Sequence, residues 1–242
     1  MTNFQAGLTG VFFALLAVSL GSPAVSAQSD LCAEWNALDK QIRDSRIDRN
    51  IAKGKIMALD EALVRTYKDK FTGVKFFFPV KGYSGQDPDC VIKGDYQPAL
   101  YNFYDGNKHR AHPAYDIFIR DKGEKGIDDR TGKPAEILSM ADGVVIAVNK
   151  EWDPKSDIRG GKYVWIFNPV LDRYYYYAHL QTVTVNVSDL IEGGQPIGLM
   201  GRTGVKAARK ESPTHLHFMC LGFNHGWMIP FNTYQELYNS TH

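Results

Sequence analysis

The sequence predicts a mainly β protein: an antiparallel, sandwich-like β-sheet domain preceded by an N-terminal α-helical segment. Three observations predict it. Before about residue 70, apolar residues recur at steps of three and four, the spacing of one helix face. Beyond Phe71-Thr72-Gly73 that spacing disappears, and short aromatic and β-branched runs replace it. Gly, Pro and Asp punctuate those runs, at Lys81-Gly82, Asp105-Gly106, Asp142-Gly143, Gly193-Gly194 and Gly201 to Gly204. With 242 residues, 44% of them hydrophobic, the chain can build one sizeable core and an accessory segment. Its 28 basic and 27 acidic residues leave a net charge of +1, so no strong field argues for nucleic acid or a charged membrane surface.

The N-terminus carries an apolar run, Val11-Phe12-Phe13-Ala14-Leu15-Leu16-Ala17-Val18, followed by Gly21-Ser22-Pro23 and the small-residue pattern Val25-Ser26-Ala27. This pattern predicts a signal peptide over 1–27, cut after Ala27, with the mature protein secreted or periplasmic. No Lys or Arg precedes the run. The run is short for a membrane span, so no stable membrane insertion is expected after cleavage.

Residues 28–72 form the helical accessory segment. Leu31, Trp35, Leu38 and Ile42 share one face, and Ile56, Leu59, Leu63 and Tyr67 another. Asp30 suits an N-cap, and Gly54 weakens the middle. The pattern fits two helices or one broken helix, serving as a packing element with no function of its own or as a prodomain or partner-binding arm.

Residues 73–242 form the β body. Phe76-Phe77-Phe78-Pro79-Val80 is expected to open it, with strands near 117–120, 137–140, 143–148, 163–168, 174–179, 196–200 and 215–220. A short helix is expected within 232–239. Export permits disulfides. Cys220 shares strand parity with Leu216 and Phe218 and should face the core, which leaves Cys32 and Cys90 as the expected pair.

The chemistry concentrates in Pro213-Thr214-His215-Leu216-His217-Phe218. In a strand, residues two apart point the same way, so His215 and His217 present two imidazoles backed by apolar neighbours. Imidazole is a common zinc ligand. Upstream, His112 and Asp116 flank Pro113, which disfavours a helix at His112. A loop-to-strand turn there brings both side chains toward one ion. Asp116 opens the apolar run Ile117-Phe118-Ile119, where a charge needs a partner or a metal. His179 ends the run Tyr174 to Tyr177. Alternation groups it with Tyr175 and Tyr177 as an aromatic wall leading to an imidazole. His109 is expected as a surface or supporting residue and His225 as a turn.

Together, His112-x-x-x-Asp116, Tyr177-Ala178-His179-Leu180 and His215-x-His217-Phe218 resemble the lysostaphin-type zinc metallopeptidases. Phe78-Pro79-Val80, Ala141-Asp142-Gly143 and Gly194 to Gly204 resemble that family's flanking segments, so the likeness runs from about Phe76 to Phe223. The resemblance implies zinc as cofactor, held by His112, Asp116 and His217, with His179 and His215 as accessory catalytic residues sharing their roles. It implies a zinc metalloendopeptidase acting on peptidoglycan peptides of the bacterial cell wall. The alternative on the same fold is a non-catalytic cell-wall binding or amidase-activating protein. Four features depart from the family pattern: Ala114 replaces a usual Gly, Thr214 follows Pro213, Met219 follows Phe218, and Lys206, Arg209 and Lys210 make the approach basic.

Overall fold

A computed structural model describes residues 1–2, 23–93 and 96–240. Most of the expected signal peptide, 3–22, lies outside the described residues. No described helix is long and apolar enough to cross a membrane.

Helix α1 spans Pro23–Arg43 and α2 spans Arg49–Tyr67. Asp30 therefore lies inside α1 and is not its N-cap. The helical segment breaks at 44–48 rather than at Gly54, which sits within α2. Lys40 and Arg43 in the last turn of α1 complement its dipole. Asp48 then caps α2, its carboxylate accepting from the Asn50 and Ile51 amides at 2.8 and 3.2 Å.

The β body is antiparallel throughout the described strands. In order these are β1 (Val91–Lys93), β2 (Ala114–Phe118), β3 (Glu136–Leu138), β4 (Gly143–Asn149), β5 (Lys162–Asn168), β6 (Arg173–Val183), β7 (Leu190–Ile191), β8 (Pro196–Met200), β9 (His215–Asn224) and β10 (Trp227–Pro230). The main path runs β1-β2-β9-β6-β5-β4-β7, with β10 on β9 and β3 on β8. Strand β6 pairs with β5 and β9 along its first part, then shifts register and continues beside β8. Helix α3 (Tyr234–Asn239) closes the chain as expected. Phe76 to Val80 does not form a continuous strand; Val80 makes only an isolated bridge to Ile137.

Alternation along β6 and β9 divides the core in two. Tyr175, Tyr177, Leu216, Phe218 and Cys220 face a cluster completed by Phe78, Ile137, Ile197 and Met200. Tyr174, Met219 and Leu221 face the other way, onto Trp165, Phe167 and the helices' Trp35, Ile56 and Leu63. Trp35 is wholly buried there, its ring 5.6 Å from Trp165 and 5.9 Å from Tyr174. The helical segment is thus packed into the same core as the sheet.

This division corrects the expected disulfide. Cys32 belongs to the helix-covered cluster, where its thiol lies 3.3 Å from the Tyr67 hydroxyl. Cys90 belongs to the cluster on the other face. The sheet stands between them, and Cys32, Cys90 and Cys220 are all free and buried. Cys220 faces the core as its parity predicts.

Candidate metal centre and cleft

The centre is built across two antiparallel neighbours. In the β2–β9 register Asp116 sits opposite His217, and Phe118 opposite His215. His112 precedes β2 and is held by a bridge to Gln97. Pro113 keeps this segment extended, so His112 approaches Asp116 from the loop side. The Asp116 Oδ1 atom lies 3.0 Å from His217 Nδ1 and 3.3 Å from His112 Nε2. One donor atom each from His112, Asp116 and His217 falls within 4.8 Å of the others, the sole such group among the described residues. Burial pushes the Asp116 carboxyl up, but hydrogen bonds to His112 and His217 and the surrounding imidazoles outweigh it. The group is held well below the usual carboxylate range.

His215 and His179 stand beside this triad. Their rings are 5.0 Å apart, and His179 is 5.4 Å from His217. His215 Nδ1 meets the Pro213 carbonyl at 2.7 Å, and His179 Nδ1 meets the Thr203 carbonyl at 2.8 Å. A carbonyl only accepts, so each Nδ1 carries the proton and each Nε2 keeps its lone pair. Burial lowers the pKa of both from the ordinary imidazole value, His179 strongly, so both rings are neutral at pH 7.

His179 reaches this place against alternation. Tyr175 and Tyr177 point into the opposite core cluster, so they form no wall beside it. His179 has a left-handed backbone, φ +64°, just where β6 changes partners. That turn moves its ring to the face of Tyr176, Ala178 and His217. The aromatic neighbour of the site is therefore Tyr176, whose ring is 6.2 Å from His217. Gly204 makes room: with φ +107°, a Cβ there would stand 2.9 Å from His179 Nδ1 and 2.3 Å from the Arg159 carbonyl oxygen.

The triad opens into a cavity of about 480 Å³. Its walls come from the 3-10 segment Phe103–Lys108, the Arg159-Gly160 turn, the Lys206-Ala207 loop and the end of α1. His109 also lines it, its imidazole pushed down to about 4 by burial and by Arg159. Arg159 Nη1 donates to the carbonyls of Asn107 and His109 at 3.3 and 2.5 Å. Thr214, one of the departures noted above, is buried and donates to Asp121 at 2.7 Å, pinning the loop before β3 to the start of β9.

Residues 122–226 match the model of peptidase family M23. That stretch is similar to an M23 peptidase domain. The matched stretch contains His179, His215 and His217; His112 and Asp116 precede it and join it through the β2–β9 pairing. No curated protein matches the chain. Among solved structures it is similar to the catalytic domain of the antimicrobial peptidase lysostaphin from Staphylococcus simulans. That match has 22% identity over 58% of this chain and 87% of the other, at a TM-score of 0.38. It is also similar to a zinc-containing peptidase from Vibrio cholerae, at 25% identity over 64% and 38% of the two chains and a TM-score of 0.41. A putative glycyl-glycine endopeptidase from Ruminococcus gnavus matches over 90% of both chains at 19% identity and a TM-score of 0.48.

The tyrosine run from Tyr174 to Tyr177 and Trp165 stand out in the sequence as candidate groove formers, and Tyr176 and Trp165 do line the cleft. Three other wall residues give no signal: Arg159 sits in an irregular loop, and Asp39 and Arg43 come from the helical segment, whose apolar spacing says nothing of its polar side.

Proposed function

We propose that this chain is an exported zinc metalloendopeptidase hydrolysing peptide bonds in bacterial cell-wall peptidoglycan. His112, Asp116 and His217 are its zinc ligands, and His179 and His215 its catalytic residues. One observation carries the reading. Three donor atoms of the right kinds converge within 4.8 Å at a cleft floor, beside two imidazoles whose Nε2 lone pairs are free. The family match supports peptidase chemistry and peptidoglycan peptides as the substrate class. Residues 1–27 are the signal peptide under this reading, 28–72 the accessory segment and 73–242 the catalytic domain.

The donor set suits zinc. Two imidazole nitrogens and one carboxylate oxygen are the composition of a catalytic site that retains an open position. When bound, the ion supplies Lewis acidity and makes water acidic enough to ionise near neutral pH. The chain's own groups do the rest. His179 and His215 are neutral and share the tasks of taking a proton at Nε2 and stabilising charge on the attacked carbonyl. The Thr203 and Pro213 carbonyls hold the tautomers that make this possible.

His217→Ala is expected to abolish both zinc retention and release of peptidoglycan fragments. His179→Ala is expected to keep zinc and lose about a hundredfold or more in turnover. Elemental analysis and fragment chromatography check both. Full cell-wall digestion by metal-free His217→Ala protein overturns the proposal.

A further inference from the structure

We infer that Asp39 and the aromatic rings around it form an ammonium-binding subsite of the cleft, which takes a primary amine on the substrate peptide. The inference rests on the peptidase reading for the nature of that substrate.

Asp39 belongs to α1, outside the stretch matched to the family, yet it lines the same cavity as the histidine cluster. It is 5% exposed. Its Oδ2 accepts from the Tyr163 hydroxyl at 2.6 Å. Its Oδ1 has no hydrogen-bond partner among the described residues, and it is not among the polar atoms sealed away from solvent. Asp39 thus brings to the cavity wall a nearly buried carboxylate with one oxygen that has no hydrogen-bond partner. Burial pushes its pKa up to about 6, against the lowering effect of Tyr163, Arg43 and Lys40, so the group is predominantly ionised at neutral pH.

The nearby cation does not quench it. Arg43 is committed to Asp44 through two bonds of 2.7 and 3.1 Å, and its Nη1 donates to Asn149 and Tyr163. Arg159, the other guanidinium in the cleft, is bonded to main-chain carbonyls. Lys40 also acts on Asp39 and Arg46 pairs with Asp44 at 2.6 Å, so the subsite rests on the unbonded Asp39 oxygen rather than on net charge.

The walls suit the same guest. Tyr101, Tyr163, Trp165 and Tyr176 line the cavity with Asp39. Tyr176 stands 5.2 Å from the Tyr163 ring and 4.6 Å from Trp165, and on its other side 6.2 Å from His217. Aromatic faces attract cations, and a carboxylate among them selects an ammonium over a neutral group. A peptide held at the histidine cluster thus meets an amine site one aromatic ring away.

The test measures binding separately from turnover. Zinc-loaded His179→Ala protein is titrated with glycine-rich hexapeptides carrying one lysine, placed at each position in turn. Each is compared with its Nε-acetyl and its N-terminally acetylated form, which separates side-chain from terminal amines. At one position, acetylating one amine is expected to weaken binding about tenfold or more, the worth of one hydrogen bond to a charged group. Adding Asp39→Asn, which keeps an acceptor for Tyr163, is expected to bring that ratio close to one. Melting temperature and zinc content certify the fold of the variant. Equal binding of free and acetylated peptides at every position overturns the subsite, even if wild-type protein cuts them. A ratio that survives in Asp39→Asn overturns it too. A ratio that depends on Asp39 in a protein that cuts nothing sustains the subsite and defeats the peptidase reading.

Discussion

The two faces of the central sheet are closed by different means. One is covered by β3, β8 and the segment around Phe78, through apolar side chains interdigitating with Tyr177, Leu216 and Phe218. The other is covered by α1 and α2, and there two buried carboxylates reach across. Asp39 takes the Tyr163 hydroxyl of β5, and Asp60 takes the Tyr174 hydroxyl of β6 at 2.5 Å. An apolar contact leaves a helix some freedom to slide, whereas a buried carboxylate has few places where it is satisfied. The helical segment is thus held in one register, and that register sets Asp39 into the cleft. The histidines emerge on this second face, so the arm that covers the sheet also shapes the site.

The largest effects test whether the two faces belong to one cooperative core. Phe218 and Trp35 are each fully buried, one in each cluster. Phe218→Ala and Trp35→Ala are each expected to cost about 3–5 kcal/mol, from lost burial plus the cavity left behind. Urea unfolding followed by tryptophan fluorescence and by far-ultraviolet circular dichroism should give coincident single transitions for both. An early, separate loss of helix in Trp35→Ala would show that the arm is an independent layer.

A smaller effect distinguishes the faces by pH. Asp60 is raised above the ordinary carboxylate range by burial, and its neighbour Asp172 adds like charge. Asp172 is raised as well, by burial, and its Oδ1 is a buried oxygen with no partner. A proton kept by this pair relieves both problems. The folded state therefore holds a proton that the unfolded chain releases near pH 4, and this contribution to stability is lost as pH rises through the pair's folded range. Asp60→Asn keeps an acceptor for Tyr174 and offers Asp172 a donor. It is expected to gain on wild type as pH goes from about 5 to 8, by on the order of 1 kcal/mol or more, since a tenfold change in acidity constant between states is worth about 1.4 kcal/mol. Melting curves across that range check it. Parallel curves would remove the carboxyl pair from the account of how the arm is held.

The legible parts of the molecule were those that depend on period. Leu216, His217 and Phe218 alternate as their spacing requires, and the steps of three and four in 31–67 do mark buried helix faces. Strand β8 has the expected bounds, and β4, β5 and β9 contain their predicted cores. What escaped depends on tertiary context. A left-handed residue at His179 reverses parity, and nothing local announces it because histidine does not require that conformation. Strands as short as β1, β7 and β10 carry too few residues for a period to register. The helix break at 44–48 is set by a left-handed Ser45 and the Asp48 cap, which outweigh the weak propensity of Gly54. The convergence of His112 and Asp116 with His217 was readable only through the resemblance, since no spacing rule brings residues a hundred positions apart to one point.

The smallest expected effect concerns the cysteines, where reasoning by elimination met the two-faced core. Pairing Cys32 with Cys90 followed only from the core-facing parity of Cys220, which says nothing of how far apart the other two lie. The sheet separates them, and a disulfide requires Cα atoms within about 7 Å. Each thiol is instead stabilised by burial, with Cys90 pushed up to about 12 and Cys32 also raised, so neither is a ready nucleophile. The denatured, unreduced protein is expected to titrate three thiols, and reductant is expected to leave its melting temperature unchanged. A drop of several degrees on reduction, together with one titratable thiol, would require the arm to dock differently. It would then carry Asp39 out of the cleft and undo the contrast between the two faces.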